Sequence, residues 1–178
     1  MTWLLKLAGV LTAAAWFGAV VLFTFGVSPA LSSARIESLL GAKHFPYFGG
    51  AIELVAAERY YGWLLAFGVI SLVHLLAEKL YLGRKPGRFW LGSLLALFGT
   101  VVLLGFILHP RLNEAHLLRH AVNASPAQKQ GAERTFRALS KVELALNLFL
   151  MTGVGVYLWR VANPPETTRF VTPGKFRG

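Results

Sequence analysis

Four long apolar stretches dominate the chain, and each is long enough to cross a lipid bilayer as a helix. They cover residues of about 3–27, 51–82, 89–109 and 141–161, whereas a spanning helix needs roughly 20 residues. Within them the apolar residues run continuously and do not alternate with period two, which favours helices over the strands of a membrane barrel. The pattern predicts an all-α membrane protein, an antiparallel bundle of four transmembrane helices.

Prolines mark the expected ends of three of these helices. The residue before a proline is disfavoured in the helical conformation, so we expect helix ends at Ser28-Pro29, His109-Pro110 and Asn163-Pro164-Pro165. Residues 1–165 are then predicted to form the transmembrane domain and residues 166–178 a basic C-terminal tail.

The first stretch has an alternative interpretation as a cleaved signal peptide, with Lys6 as its basic region. Its apolar run, residues 7–27, is longer than the 7–15 residues typical of a signal peptide. An uncleaved first helix is therefore favoured.

The longest connection, residues of about 110–140, contains two short amphipathic patterns. The second follows Ser125-Pro126, a favourable helix start, and runs to Leu139. We expect both to lie on the outer membrane surface, so that the bundle carries an amphipathic outer connection.

Composition removes several classes of chemistry. Hydrophobic residues make up 55% of the chain and charged residues 15%, and the mean hydropathy is +0.54. The absence of cysteine excludes disulfides, thiolate metal sites and cysteine nucleophiles, and the absence of aspartate excludes aspartate-based phosphoryl transfer. The net charge of +10 comes from residues that flank apolar spans, so anionic lipid headgroups are the expected partner and nucleic acid is not.

Orientation depends on where the basic residues lie. Lysines and arginines are equally numerous on the two sides, but the second connection is short and dense in them, with Lys79, Arg84, Lys85 and Arg88. Short basic loops stay in the cytoplasm. We therefore expect a multi-pass protein of a bacterial inner membrane with both termini in the cytoplasm.

His74 is the deepest ionisable residue in the predicted spans, and Glu78 lies one helical turn further on. This pair could supply two metal ligands, or His74 could bind haem or copper. The alternative is a structural pair near the inner interface, which we favour because ionisable residues near helix ends often reach the headgroups.

A second candidate is a polar cluster on the outer side, where the topology brings Glu53, Glu58, His109 and Glu143 to similar height. Such a cluster could hold a cation or carry out catalysis, and the alternative is a solvated rim. His116 and His120 have the i, i+4 spacing of a metal pair, in a segment expected to be exposed. Asn147, within the last span, is expected to bond between helices.

Several short motifs carry a family resemblance. They are Trp16-Phe17-Gly18, Phe23-Thr24-Phe25-Gly26-Val27-Ser28-Pro29-Ala30, Phe45-Pro46-Tyr47-Phe48, His109-Pro110-Arg111-Leu112-Asn113 and Phe136-Arg137-Ala138-Leu139-Ser140. In this order they resemble a bacterial domain-of-unknown-function family related to transmembrane protein 205, itself distantly similar to copper resistance protein D. The resemblance implies a four-helix bundle and makes haem or copper worth testing. The family's last helix often carries a histidine where this chain has Ser140, so a metal site built on that histidine would lack one ligand.

Three functional hypotheses remain. The first is a non-enzymatic accessory or scaffold protein with a membrane-protein partner or a second copy of itself, because polar groups inside the spans are few. The second is a haem- or copper-binding protein that uses His74 or His109. The third is a small membrane enzyme that uses the outer glutamates and histidine.

Overall fold

The computed structural model describes residues 2–82 and 87–163, and this part of the chain contains helices and no strand. The predicted C-terminal tail, residues 166–178, and most of the second connection lie outside the described residues. Four helices in the described part are long and apolar enough to cross a membrane. The all-α, four-helix membrane fold predicted from hydropathy is confirmed.

The first long helix consists of α1 (Thr2–Val21), a π-helical turn (Leu22–Val27) and α2 (Ser28–Leu31). A short helix, α3 (Ala34–Leu40), follows it. The second long helix is α4 (Phe45–Leu82).

The third long helix consists of α5 (Arg88–Val102), a second π-helical turn (Leu103–Leu108) and α6 (His109–His120). The fourth is α7 (Pro126–Ala162). The described helices therefore extend beyond the predicted spans at the end of the molecule opposite Trp3 and Ala162. We call this end the distal end.

The predicted helix ends at Pro29 and Pro110 are wrong, because both helices continue through the proline to Leu31 and His120. A proline has no backbone N–H and its ring crowds the carbonyl of the preceding turn. In both helices a widened π-helical turn comes directly before the Ser-Pro or His-Pro pair. Such turns are rare and are often found at functional sites.

The two amphipathic patterns predicted for the outer connection are helical, but they are not separate surface helices. The first is α6, the extension of the third helix, and the second is the beginning of α7. Ser125 begins α7 as predicted: its hydroxyl accepts the Gln128 N–H at 3.3 Å, and the Gln128 side chain accepts the Ser125 N–H at 2.8 Å. This reciprocal capping box satisfies backbone donors that the first turn leaves free.

Side-chain contacts show that consecutive long helices run antiparallel. On the first two helices, Leu5 meets His74 and Ser28 meets Glu53, so the residue numbers rise on one helix as they fall on the other. Trp16, Leu64 and Leu150 from three of the helices are fully buried in the core between them. Trp16 is therefore a packing residue rather than an interfacial tryptophan.

Glycines allow close approach at several helix contacts, as expected for membrane helices. A methyl group added to Gly9 would overlap the His74 ring, and one added to Gly153 would overlap Leu97. At Gly18 the same methyl group would meet no atom within 4 Å. Gly41 has a different role, because it ends α3 with a positive φ of 77° that a side chain would disfavour.

Candidate functional site

A cavity of about 260 Å³ lies near the distal end, among the four long helices. Phe23, Leu54 and Leu112 form part of its apolar lining. Its polar lining consists of Thr24, Ser28, Glu53, Ser140, Glu143 and Asn147. We call this space the carboxylate cavity.

Glu53 enters the cavity from the second helix and is bonded to the end of the first. The Ser28 hydroxyl donates to its Oε1 at 2.5 Å, and the Ser32 hydroxyl lies 3.5 Å from its Oε2. Ser28 stands in this position because the first helix continues through Pro29 instead of ending before it. The carboxylate thus receives hydrogen bonds from neutral hydroxyls.

Glu143 enters from the fourth helix and accepts a hydrogen bond from the Tyr61 hydroxyl. One turn further on, the buried Asn147 amide accepts the Tyr60 hydroxyl at 2.8 Å. The Asn147 Nδ2 atom also donates to the backbone carbonyl of Glu143 at 3.2 Å. Adjacent tyrosines of the second helix therefore hold one polar face of the fourth helix.

The two π-helical turns flank this tyrosine pair. The first turn carries Phe23, whose ring stacks on Tyr60 with centroids 4.0 Å apart and planes 5° apart. The second turn carries Gly105, where an added methyl group would lie 3.3 Å from the Tyr61 Cβ atom. The widened turns thus pack directly against the residues that position Glu143 and Asn147.

Among the described residues, the lining of the carboxylate cavity includes two glutamates and no lysine or arginine. The two ion pairs in the described part of the chain both belong to Glu133, with Arg119 at 3.3 Å and Arg137 at 2.7 Å. Glu133 does not line the carboxylate cavity. Glu53 and Glu143 line the same cavity, where a negative charge on one carboxylate makes a negative charge on the other more costly. Carboxylates inside a membrane bundle are costly and commonly mark ion or substrate sites.

A second, more open cavity of about 740 Å³ adjoins the first toward the distal surface. Gly50, Glu53 and Phe136 line both spaces. Arg119 and Lys129 line only the second, which we call the vestibule.

Arg119 is held firmly in the vestibule wall. Its guanidinium carbon lies 4.1 Å from the centre of the Phe136 ring, a cation–π arrangement. Its side chain also pairs with Glu133 and donates to His116 Nδ1 at 3.0 Å. These contacts preorganise a cation at the entrance to the carboxylate cavity.

Of the predicted outer cluster, the structure brings Glu53 and Glu143 to one cavity and leaves the other two members outside it. His109 packs edge-on against Tyr61, with ring centroids 5.8 Å apart, and its charged neighbour is the exposed Glu58. His109 and Glu58 are not among the residues that line the carboxylate cavity. Tyr61, which contacts both His109 and Glu143, separates His109 and Glu58 from Glu53 and Glu143.

His74 is buried within the bundle, 8% exposed, and does not face lipid. Its Nε2 atom donates to the Leu5 carbonyl at 2.8 Å, which ties the beginning of the first helix to the second. Glu78 lies beside Tyr157 and Arg160 of the fourth helix. His74 and Glu78 thus have separate neighbours, on the first and the fourth helix.

His116, the first histidine of the remaining pair, is also committed to structure. His116 Nδ1 accepts from Arg119, so its Nε2 carries the hydrogen and donates to the Tyr47 carbonyl at 3.1 Å. Both ring nitrogens are thereby used. No group of three histidine, cysteine, aspartate or glutamate residues suited to a metal ion occurs within residues 2–82 and 87–163.

Sequence reasoning missed the tyrosine pair, Ser28 and Arg119 as members of the site. Tyr60 and Tyr61 are adjacent polar aromatics inside an apolar span, which is a usable signal because a buried hydroxyl needs a partner. Ser28 gave no signal, because it was expected to lie beyond a helix end. Arg119 was expected on an exposed surface helix.

Comparison with known proteins gives a family and no further relative. Residues 11–121, more than half of the chain, match the model of a family described as Domain of unknown function (DUF4149). No curated protein and no solved structure matches the chain. The matched residues include Glu53 and the tyrosine pair, and the match ends before α7, which carries Glu143. This four-helix membrane protein therefore belongs to the DUF4149 family.

Proposed function

We propose that this protein is a non-enzymatic membrane protein that binds a cationic group in its carboxylate cavity, between Glu53 and Glu143. The observation that carries the proposal is the placement of both carboxylates in one cavity, with hydroxyl partners and no ion pair in the described residues. A bound cation would relieve the repulsion between them and offset the cost of their burial.

The rest of the lining suits such a ligand. The Asn147 side chain and the hydroxyls of Ser28, Ser140 and Thr24 surround the carboxylates with oxygen atoms. The Thr24 hydroxyl is buried and has no hydrogen-bond partner in the described residues. Oxygen atoms are the ligands that hard cations prefer, and they accept hydrogen bonds from the N–H groups of an ammonium ion.

The cellular setting is part of the proposal. We propose a bacterial inner membrane, with both termini in the cytoplasm and the distal end on the outer face. In that orientation the vestibule opens outside the cytoplasm. Basic residues near the opposite end, such as Lys79 and Arg160, would contact anionic headgroups, and a membrane-protein partner or a second copy would cover part of the exposed apolar surface.

Haem or copper binding by His74 or His109 has less support. Each ring keeps one buried nitrogen, Nδ1, without a hydrogen-bond partner in the described residues. Each would be a single ligand there, because the residues around it form no group of three metal donors. The wider resemblance to transmembrane protein 205 and copper resistance protein D stays a prediction.

An enzyme that uses the outer glutamates also has less support. Such a site would use one of its glutamates to transfer protons, and both Glu53 and Glu143 already accept hydrogen bonds from hydroxyl groups. The neighbouring hydroxyls of Tyr61 and Tyr60 already donate to Glu143 and Asn147. Binding alone explains the arrangement with fewer assumptions.

A thermal-shift series on detergent-purified protein tests the proposal. We expect ethylammonium, Na⁺, Mg²⁺ or Ca²⁺ to raise the unfolding temperature of the wild type at constant ionic strength. Glu53→Gln and Glu143→Gln should abolish that rise, whereas the exposed Glu114→Gln should keep it. The absence of any shift with all four cations would refute the proposal.

A further inference from the structure

The carboxylate cavity and the vestibule are neighbouring compartments of opposite character. Glu53 lines both, so a ligand that reaches the first space from the distal surface can pass through the second. Phe136 stands at the junction, and its ring is fixed by Arg119 stacked on it. One elongated ligand could therefore touch both compartments.

Apart from Glu53, which it shares with the carboxylate cavity, the vestibule is lined by two basic side chains, Arg119 and Lys129, and one acid, Glu133. Glu133 is shared between Arg119 and Arg137, and Lys129 lies in the same wall. The Arg119 Nε and His120 Nε2 atoms are buried and have no hydrogen-bond partner in the described residues. With Glu53 assigned to the ammonium, an anionic group in the vestibule would balance Arg119 and Lys129 against Glu133.

We infer that the ligand is a zwitterion with a primary ammonium group at one end and a phosphate at the other. The ammonium lies between Glu53 and Glu143, and the phosphate contacts Arg119 and Lys129. This inference rests on the proposed function, because it uses the same carboxylate cavity and adds the class of ligand. A phosphoethanolamine group has this chemistry, whether it is free or the headgroup of a phospholipid.

The lining distinguishes a primary ammonium from a trimethylammonium group. Carboxylates, hydroxyls and an amide accept hydrogen bonds, and a primary ammonium has three N–H groups to donate. A trimethylammonium group donates none and is bound in aromatic cages instead. The vestibule also includes apolar Leu31, Phe45 and Pro46, which offer a surface for the carbon chains of a lipid.

Calorimetric titrations with free phosphoethanolamine and with ethylammonium test the inference in detergent. We expect phosphoethanolamine to bind the wild type at least about tenfold more tightly, since one charge-assisted contact is worth this much. Arg119→Gln and Lys129→Gln should abolish that advantage while they keep ethylammonium binding. Glu143→Gln should weaken both ligands, and the exposed Arg134→Gln should weaken neither.

The outcomes separate this inference from the proposed function. Equal affinity for the two ligands, or an unchanged preference in Lys129→Gln, would overturn the zwitterion and leave the cation site standing. Binding of neither ligand would overturn both. Lys129 is only partly buried and forms no ion pair in the described residues, so its variant should fold even if Arg119→Gln does not.

A second arm uses nanodiscs to identify the source of the group. Phosphatidylethanolamine in place of phosphatidylcholine, at a constant content of phosphatidylglycerol, should weaken ethylammonium binding if the headgroup already fills the site. That competition supports a lipid ligand. Binding of free phosphoethanolamine without such competition supports the same chemistry from a soluble ligand.

Discussion

At the residue scale, Glu143 depends on a side chain from another helix. Tyr61 donates its hydroxyl to the carboxylate, and the neighbouring Tyr60 bonds to Asn147 one turn away. A buried acceptor that loses its donor keeps the full cost of its lost hydration. The tyrosine pair therefore has both a structural and a site-forming role.

Tyr61→Phe removes only the hydroxyl that donates to Glu143. We expect a loss of about 1–3 kcal/mol in the free energy of unfolding, because the carboxylate stays half-buried without this partner. Unfolding in mixed detergent micelles measures the change. Tyr81→Phe is the control, since this residue is exposed on the same helix; equal losses in the two variants would contradict the role given to Tyr61.

Gly9 is a second position at which a single added carbon atom should change the free energy of unfolding. Gly9→Ala places a methyl group into the His74 ring, which is fixed by its bond to the Leu5 carbonyl. We expect a loss of about 1–3 kcal/mol from this overpacking. Gly18→Ala on the same helix adds the methyl group in open space and should leave the unfolding temperature unchanged or higher; the reverse order would disprove this packing.

At the element scale, hydropathy predicts the helices well because burial in lipid leaves the backbone few alternatives. The same pattern cannot predict a helix that passes through Pro29 or Pro110, since π-helical turns have no composition signal in a single sequence. This failure also hid the contribution of Ser28 to the site. Capping chemistry at Ser125 was predictable because it is local.

Ser125→Ala should cost about 1 kcal/mol of stability, because it removes the cap of the helix that carries Glu143. Ser93→Ala is a matched control, as its hydroxyl bonds only within an exposed turn of α5. Hydrogen exchange measured by mass spectrometry over residues 121–140 should rise in the first variant only. An unchanged exchange rate there would show that the cap does not hold this end of α7.

At the scale of the whole molecule, the sequence predicted the height of Glu53, Glu58, His109 and Glu143 but not their rotation about the helix axes. The contacts that fix rotation join residues far apart in the chain, such as Tyr60 and Asn147. Two of the four residues share a cavity for this reason, and the other two lie on the far side of Tyr61. The density of basic residues in the second connection, at the end away from the distal end, predicts the orientation in the membrane.

Reporter fusions test that orientation directly. Green fluorescent protein after residue 178 should fluoresce, and alkaline phosphatase inserted after Gly41 should be active, because the distal end is predicted to lie outside the cytoplasm. Active phosphatase at the C-terminus would reverse the predicted topology. The cation site would then open to the cytoplasm.

The central claim is that Glu53 and Glu143 together bind a cationic group, and isothermal titration calorimetry with ethylammonium measures it most directly. The wild type should bind about one equivalent, Glu53→Gln and Glu143→Gln should each bind at least about tenfold more weakly, and the double variant should release no heat of binding. Glu114→Gln should match the wild type. Undiminished binding by the double variant would contradict the assignment of the site.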